Sequence, residues 1–142
     1  MNSINSYEVL KDFNTKEWKV YDNNTDRFKN FDTEKEANKY VCECVKKKSN
    51  EIRNKVQQMT HNIEWTQFRS MQADIGSPVF VNVDGNDYLV QPFQSYTTIV
   101  GLVDEATHTF YEVGKYSRTT SKQVTVFCNT YGYNKVYVDR IY

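Results

Sequence analysis

Apolar residues change their spacing several times along the chain, and each change marks the border of an element. Trp18, Val20 and Asp22 alternate with Lys19 and Tyr21. Arg27 to Phe31 follows after Asn23-Asn24-Thr25-Asp26, so the two runs predict a β-hairpin. Ala37, Tyr40, Val41, Cys44, Val45, Ile52, Val56 and Met59 then recur at helical spacing, a stripe interrupted by Lys48. Thr33 and Glu36 stand ahead of it at capping-box spacing, where a hydroxyl and a carboxylate satisfy free amides of the first turn. The pattern predicts one long helix ending near Met59, with a break near Ser49-Asn50. Met1 to Lys16 carries no assignable period.

Beyond the helix, Ile63, Trp65 and Phe68 either close it or start a second one, and Ala73 to Ser77 reads as a loop. From Pro78 the period becomes two, with Val79, Val81 and Val83 on one side and Phe80 and Asn82 on the other. Asp84-Gly85-Asn86-Asp87 is a hairpin turn, because Gly and Asn accept positive φ cheaply. Tyr88 to Gln91 returns and Pro92 breaks the run. Phe93 to Asp104 pairs with Thr109 to Val113 across Glu105-Ala106-Thr107-His108. The stretch from Tyr116 to Tyr133 predicts a short helix, with Val124, Phe127, Cys128 and Tyr131 on its apolar face. Gly132 takes the left-handed position that ends it. Thr120 with Gln123 has capping-box spacing, and Ser117 is a rival cap one turn earlier. Lys135 to Tyr142 is the last strand.

These elements predict an α+β chain. Its parts are an N-terminal ββα unit with a long helix (residues 1–60), a connector (61–77), and an antiparallel sheet of order ββββ-α-β carrying a short helix (78–142). Val79, Val81, Val83, Ile99, Phe127 and Val138 are its expected core.

Composition adds little field and many rings. Eighteen Lys and Arg balance 18 Asp and Glu over 142 residues, so no net charge draws the chain to nucleic acid or membrane. Aromatics make up 15%, with 11 Tyr against 8 Phe and 2 Trp. A Tyr excess fits strands, and it also fits a surface that binds another macromolecule. Cys42, Cys44 and Cys128 form no C-x-x-C pair, and His61 and His108 are the only histidines, which supports neither a disulfide framework nor a zinc site. No secretory leader pattern and no 18-residue apolar segment is present, so a cytoplasmic protein is expected.

No motif dictates a reaction. Lys46-Lys47-Lys48 with Arg53 and Lys55 is the densest basic run, but Glu43 and Glu51 interleave with it as on a solvated helix face. Glu64, Asp74, Asp84 and Asp87 are candidate ligands for a divalent ion, yet Asp84 and Asp87 stand where a hairpin turn places them. His108-Thr109-Phe110 is half of a His-x-Thr pair with no second half. Cys128 lies on the apolar face of the last helix, as a packing residue does. The Ser/Thr cluster at 117–121 caps a helix. Neither a cofactor nor a metal is expected.

Ser95-Tyr96-Thr97-Thr98, continued by Tyr116-Ser117-Arg118-Thr119-Thr120-Ser121-Lys122 and closed by Phe127 and Gly132, resembles a domain of small phage and mobile-element proteins of low-GC Gram-positive bacteria. The resemblance covers roughly residues 78–142, and it implies a phage origin with no assigned chemistry. That family usually has His after the Lys. This chain has Gln123, which removes the one side chain there able to serve as acid, base or ligand. In outline, Trp18 to Ala37 is similar to the arm-binding domain of phage tyrosine integrases, a small sheet and capped helix that read DNA through the sheet.

The expected function is therefore that of a phage-type accessory protein that binds and blocks a host or defence protein, in concrete form an anti-CRISPR or similar inhibitor. Tyr111, Tyr116, Arg118, Tyr131 and Tyr133 are its expected contact residues, since aromatics and Arg dominate binding energy. The alternative is DNA binding by the N-terminal unit through Lys19, Arg27 and Lys29 projecting from one face.

Overall fold

A computed structural model describes residues 2–113 and 117–138. The chain is α+β, and its described residues form two sheets and two α-helices. β1 (Tyr7–Lys11), β2 (Trp18–Asp22) and β3 (Arg27–Phe31) form an antiparallel meander. The predicted hairpin is β2–β3. β1 carries no legible period, because its alternation sets Tyr7, Val9 and Lys11 against Glu8 and Leu10, leaving neither side consistently apolar.

α1 (Glu34–Gln58) begins where its signal stands: Thr33 is extended, and its hydroxyl accepts from the Glu36 amide at 3.2 Å. It runs through Ser49-Asn50 without a break. Ser49 is fully buried there, so tertiary packing overrides its weak helix preference. The helix packs on β1–β3 and also on the second sheet.

That second sheet holds seven strands. Its path is β10 (Asn134–Tyr137), β9 (Thr109–Glu112), β8 (Thr98–Asp104), β7 (Asn86–Ser95), β5 (Ala73–Gly76) and β4 (Trp65–Gln67), with β6 (Val79–Val83) also paired to β7. β4 and β5 replace the expected helix end and loop. They are too short to show a period, and the turn between them depends on Arg69 and Gln72 at positive φ, values that neither residue type advertises. β7 continues through Pro92, where the run was expected to break. Pro92 falls where that edge of β7 passes from β6, last paired at Val90, to β5, first paired at Phe93, so one side of the strand has no ladder partner there. The β6–β7 turn is the expected one, with Asp84 at φ 52° and Gly85 at 84°.

α2 (Arg118–Tyr131) crosses the sheet and returns the chain to β10, which pairs with β9 in parallel; the other pairings are antiparallel. Gly132 ends α2 at φ 71°, as expected. The cap is Ser117, whose hydroxyl accepts from the Thr120 amide. Thr120 and Gln123 do not form a capping box; both are buried against the sheet.

The sheet thus has a helix on each face, and the core divides accordingly. On the α1 face Ile4, Val45, Ile52, Val56, Val81, Val83, Ile99, Leu102, Tyr111 and Val138 cluster, with Val79 at the margin. On the α2 face Phe68, Phe93, Val103, Phe110, Val124 and Phe127 cluster. The expected single core is two, because strands that pack on both faces send alternate residues to opposite sides.

Candidate functional site

The C-terminal end of α2 closes over a set of packed rings, most of them edge-on or tilted to one another. Phe127 is 1% exposed and lies 4.5 Å from Phe93, centroid to centroid, and 5.4 Å from Phe68. Tyr131 and Tyr133 continue the cluster outward, at 5.2 and 5.4 Å from Phe127 and 6.0 Å from each other. The His108 ring supports Tyr133 from behind at 4.4 Å. Arg69 places its guanidinium 5.3 Å from the Phe68 ring centroid and donates to the Thr130 hydroxyl at 3.0 Å, tying the β4–β5 turn to the helix end.

A cleft of about 270 Å³ opens between this wall and the sheet, lined by Thr66, Ile75, Gln91, Phe127, Tyr131 and Tyr133. Its floor is apolar, and its polar groups are one hydroxyl, one side-chain amide and two phenols. Burial raises the Tyr133 phenol above the usual tyrosine range, so it stays neutral at physiological pH and its oxygen lies 3.5 Å from Gln91 Oε1. The cleft is suited to receiving an apolar or aromatic group and orienting it by hydrogen bonds.

The apolar surface continues past the cleft along the same sheet face. Phe80 stands opposite Leu89 in the β6–β7 register, and Leu89 is two residues from Gln91 on the same side of β7. α2 does not reach this part of the sheet, and Phe80 is 69% exposed.

Of the residues expected to bind a partner, Tyr131 and Tyr133 meet here. Tyr131 is half in solvent, at 49%. Arg118 is exposed but begins α2, about 20 Å from Tyr131 at 1.5 Å per residue. Tyr111 is corrected: it is a core residue on the α1 face, opposite Leu102 and Val136, where burial pushes its phenol up to about 12. Strand alternation decides this, since Phe110 and Glu112 take the α2 face. Tyr116 lies outside the described residues. Phe80 and Gln91 were missed; the available signal was that Phe80 falls with Asn82 on the side of an alternating strand opposite the valines.

The basic set of the N-terminal unit is also corrected. Arg27 and Lys29 stand opposite Asp22 and Val20, on the α1 side of β1–β3, whereas Lys19 stands opposite Leu10 and Asn30 on the other side. Lys29 lies 4.8 Å from the Tyr40 ring of α1, and Lys19 is 3.4 Å from Asp12. They do not form one cationic face. The Lys46-Lys47-Lys48 run likewise divides: Lys47 approaches Glu51 at 4.0 Å, and the Lys48 ammonium is buried.

Ser95, Thr120 and Gln123, from two separate stretches of the chain, are brought together as structure. Ser95 donates to Gln123 Oε1 at 2.7 Å and lies 3.2 Å from the Thr120 hydroxyl, while the Gln123 amide donates to the Met71 carbonyl. Among the described residues no three His, Cys, Asp or Glu are placed to hold a metal ion, and no helix is long and apolar enough to cross a membrane. No family model matches the chain, and neither a curated protein nor a solved structure resembles it at a significant level.

Proposed function

We propose that this protein is a phage-type accessory protein that acts by stoichiometric capture of a protein partner in the bacterial cytoplasm, in concrete form a counter-defence inhibitor of the anti-CRISPR kind. The observation that carries the reading is the rigid aromatic wall of Tyr131 and Tyr133 beside an open cleft, extended by exposed Phe80. Aromatic anchors beside a pocket are the pattern of binding hot spots, and anchors held by a helix and a sheet lose little entropy on docking. The cleft's lining, with its apolar floor and neutral polar groups, suits recognition of a side chain. The phage-like motif supplies the biological setting.

A second reading, DNA binding by the N-terminal unit, gains from the third strand: a three-stranded meander followed by a capped helix matches the outline of the integrase arm-binding domain. The division of Lys19 from Arg27 and Lys29 weighs against it, since phosphate contacts need cations on one surface.

The test is capture from bacterial lysate by immobilised protein, with and without nuclease, using the wild type and Tyr131→Ala/Phe80→Ser. A stoichiometric protein partner that survives nuclease and is lost with the double variant supports the proposal. Capture that vanishes with nuclease, together with a salt-sensitive mobility shift on DNA, favours the second reading. Equal capture by both forms removes this surface.

A further inference from the structure

Lys48 sits on the buried stripe of α1, and its Nζ is shut off from solvent with no hydrogen-bond partner. Its neighbours are ring faces, Tyr7 at 4.6 Å and Tyr88 at 5.5 Å, contributed by the two different sheets. A buried ammonium is ordinarily paired, because two π faces return only part of its lost hydration. None of the carboxylates nearby hydrogen-bonds to it, Asp84 on the same cavity wall included, and the others have partners of their own. Asp22 Oδ1 accepts from the Ser6 hydroxyl at 2.6 Å and the Asn24 amide at 2.9 Å. Asp104 accepts from the Ile4 and Ala106 amides at 2.8 and 3.0 Å. Glu51 lies beside Lys47.

Lys48 also lines a cavity of about 320 Å³, between β1–β3, α1 and the β6–β7 turn, which it shares with Arg27, Lys47 and Tyr88. A second depression of about 380 Å³ shares Tyr7, Asp22, Thr25 and Arg27 with the first and adds Lys29 and Tyr40. Both volumes are in the range that holds small ligands. Arg27 borders both, and a guanidinium fork matches a carboxylate in two hydrogen bonds. Rotation about the four-carbon stem of Lys48 moves its ammonium from the rings to an oxygen in the cavity it lines.

We propose that this double cleft binds a small organic carboxylate, whose charge completes the unpaired Lys48 and whose apolar body rests on the rings of Tyr7 and Tyr40. The lining is charge-balanced, with Asp22, Glu51 and Asp84 against Arg27, Lys47 and Lys48. What the Lys48 ammonium lacks is therefore one acceptor, and a monoanion supplies it with the least added repulsion. A phosphate dianion meets more repulsion from those carboxylates. A cation would leave the Lys48 ammonium without an acceptor. The site uses none of the residues of the Tyr131 surface, so it stands or falls separately from the proposed function.

The test is a titration of the whole protein with benzoate, acetate and inorganic phosphate, following the Lys48 side-chain CεH₂ signal by NMR, alongside Lys48→Met and Arg27→Gln. The expected result is saturable movement of the Lys48 signal by benzoate with Kd of about 1 mM or tighter, acetate weaker, and binding to Lys48→Met at least about tenfold weaker. Arg27→Gln weakens binding while the fold's NMR spectrum is kept. No saturable movement, equal binding to Lys48→Met, or phosphate binding tighter than benzoate overturns the proposal.

Discussion

The Ser95 hydroxyl donates to the side-chain oxygen of Gln123 at 2.7 Å, inside the protein and across 28 residues of chain. This bond and the Gln123–Met71 contact pin α2 to β7 and to the β4–β5 turn, in a region otherwise packed by apolar rings. Gln123→Leu leaves Ser95 and the Met71 carbonyl without these partners. The expected loss is about 1–3 kcal/mol of unfolding free energy, read from urea melts. Gln123→His retains a donor and an acceptor and should lose less. Equal losses in both variants would show that packing alone matters here.

Gly101 and Phe110 are matched by space. A Cβ on Gly101 would stand 2.0 Å from Phe110 Cζ, so the ring occupies the place of the missing side chain. Gly101→Ala should lower stability by about 1–3 kcal/mol. Adding Phe110→Leu, which shortens the ring's reach, should recover part of that loss, and a double-variant cycle measures the coupling.

The two ends of the aromatic cluster should respond differently. Phe127→Ala removes a side chain at the centre of the α2 face and should cost roughly 3–5 kcal/mol. Tyr131→Ala removes a half-exposed ring and should move the melting temperature little while reducing partner capture. A Tyr131→Ala protein that loses stability and capture in proportion would mark that ring as packing only.

Lys48 sets a pH dependence. Burial lowers its pKa in the folded protein below the ordinary 10.5, opposed by the surrounding carboxylates and Cys44. The unfolded chain then binds the proton more tightly, so this group's contribution to stability rises as pH climbs from the lowered folded value towards 10.5. Lys48→Met should therefore be more stable than wild type at pH 7, by at most about 1 kcal/mol, because part of the side chain stays in solvent. Denaturant melts should show that gap narrowing at alkaline pH. A gap that widens would contradict the burial argument.

Cysteine chemistry should follow burial. The Cys128 thiol is pushed up to about 11, chiefly by burial, with Lys135 acting against the rise. At pH 8 iodoacetamide should modify half-buried Cys42 and Cys44 before Cys128, as resolved by peptide mass spectrometry. Early loss of the Cys128 peptide would mean that α2 opens readily.

The sequence by itself determined what is local. Thr33 with Glu36, Gly132, and Asp84-Gly85 fixed a helix start, a helix stop and a turn, because capping and positive φ are decided within a few residues. The long apolar stripe fixed α1, alternation fixed β2 and β6, and the Asn-rich tetrad after β2 placed β3. Lys48 was legible as an interruption of that stripe, although not as an ammonium held between two tyrosines. Tertiary structure decided the rest. Strands β1, β4 and β5 exist because neighbours pair with them, and three- to five-residue segments carry too little period to announce that. Whether Tyr111 or Tyr131 reaches solvent depends on which sheet face each helix covers, and no local rule assigns a face. The meeting of Tyr131, Tyr133 and Gln91, and of Lys48 with Arg27, joins residues far apart in the chain, so only packing places them together.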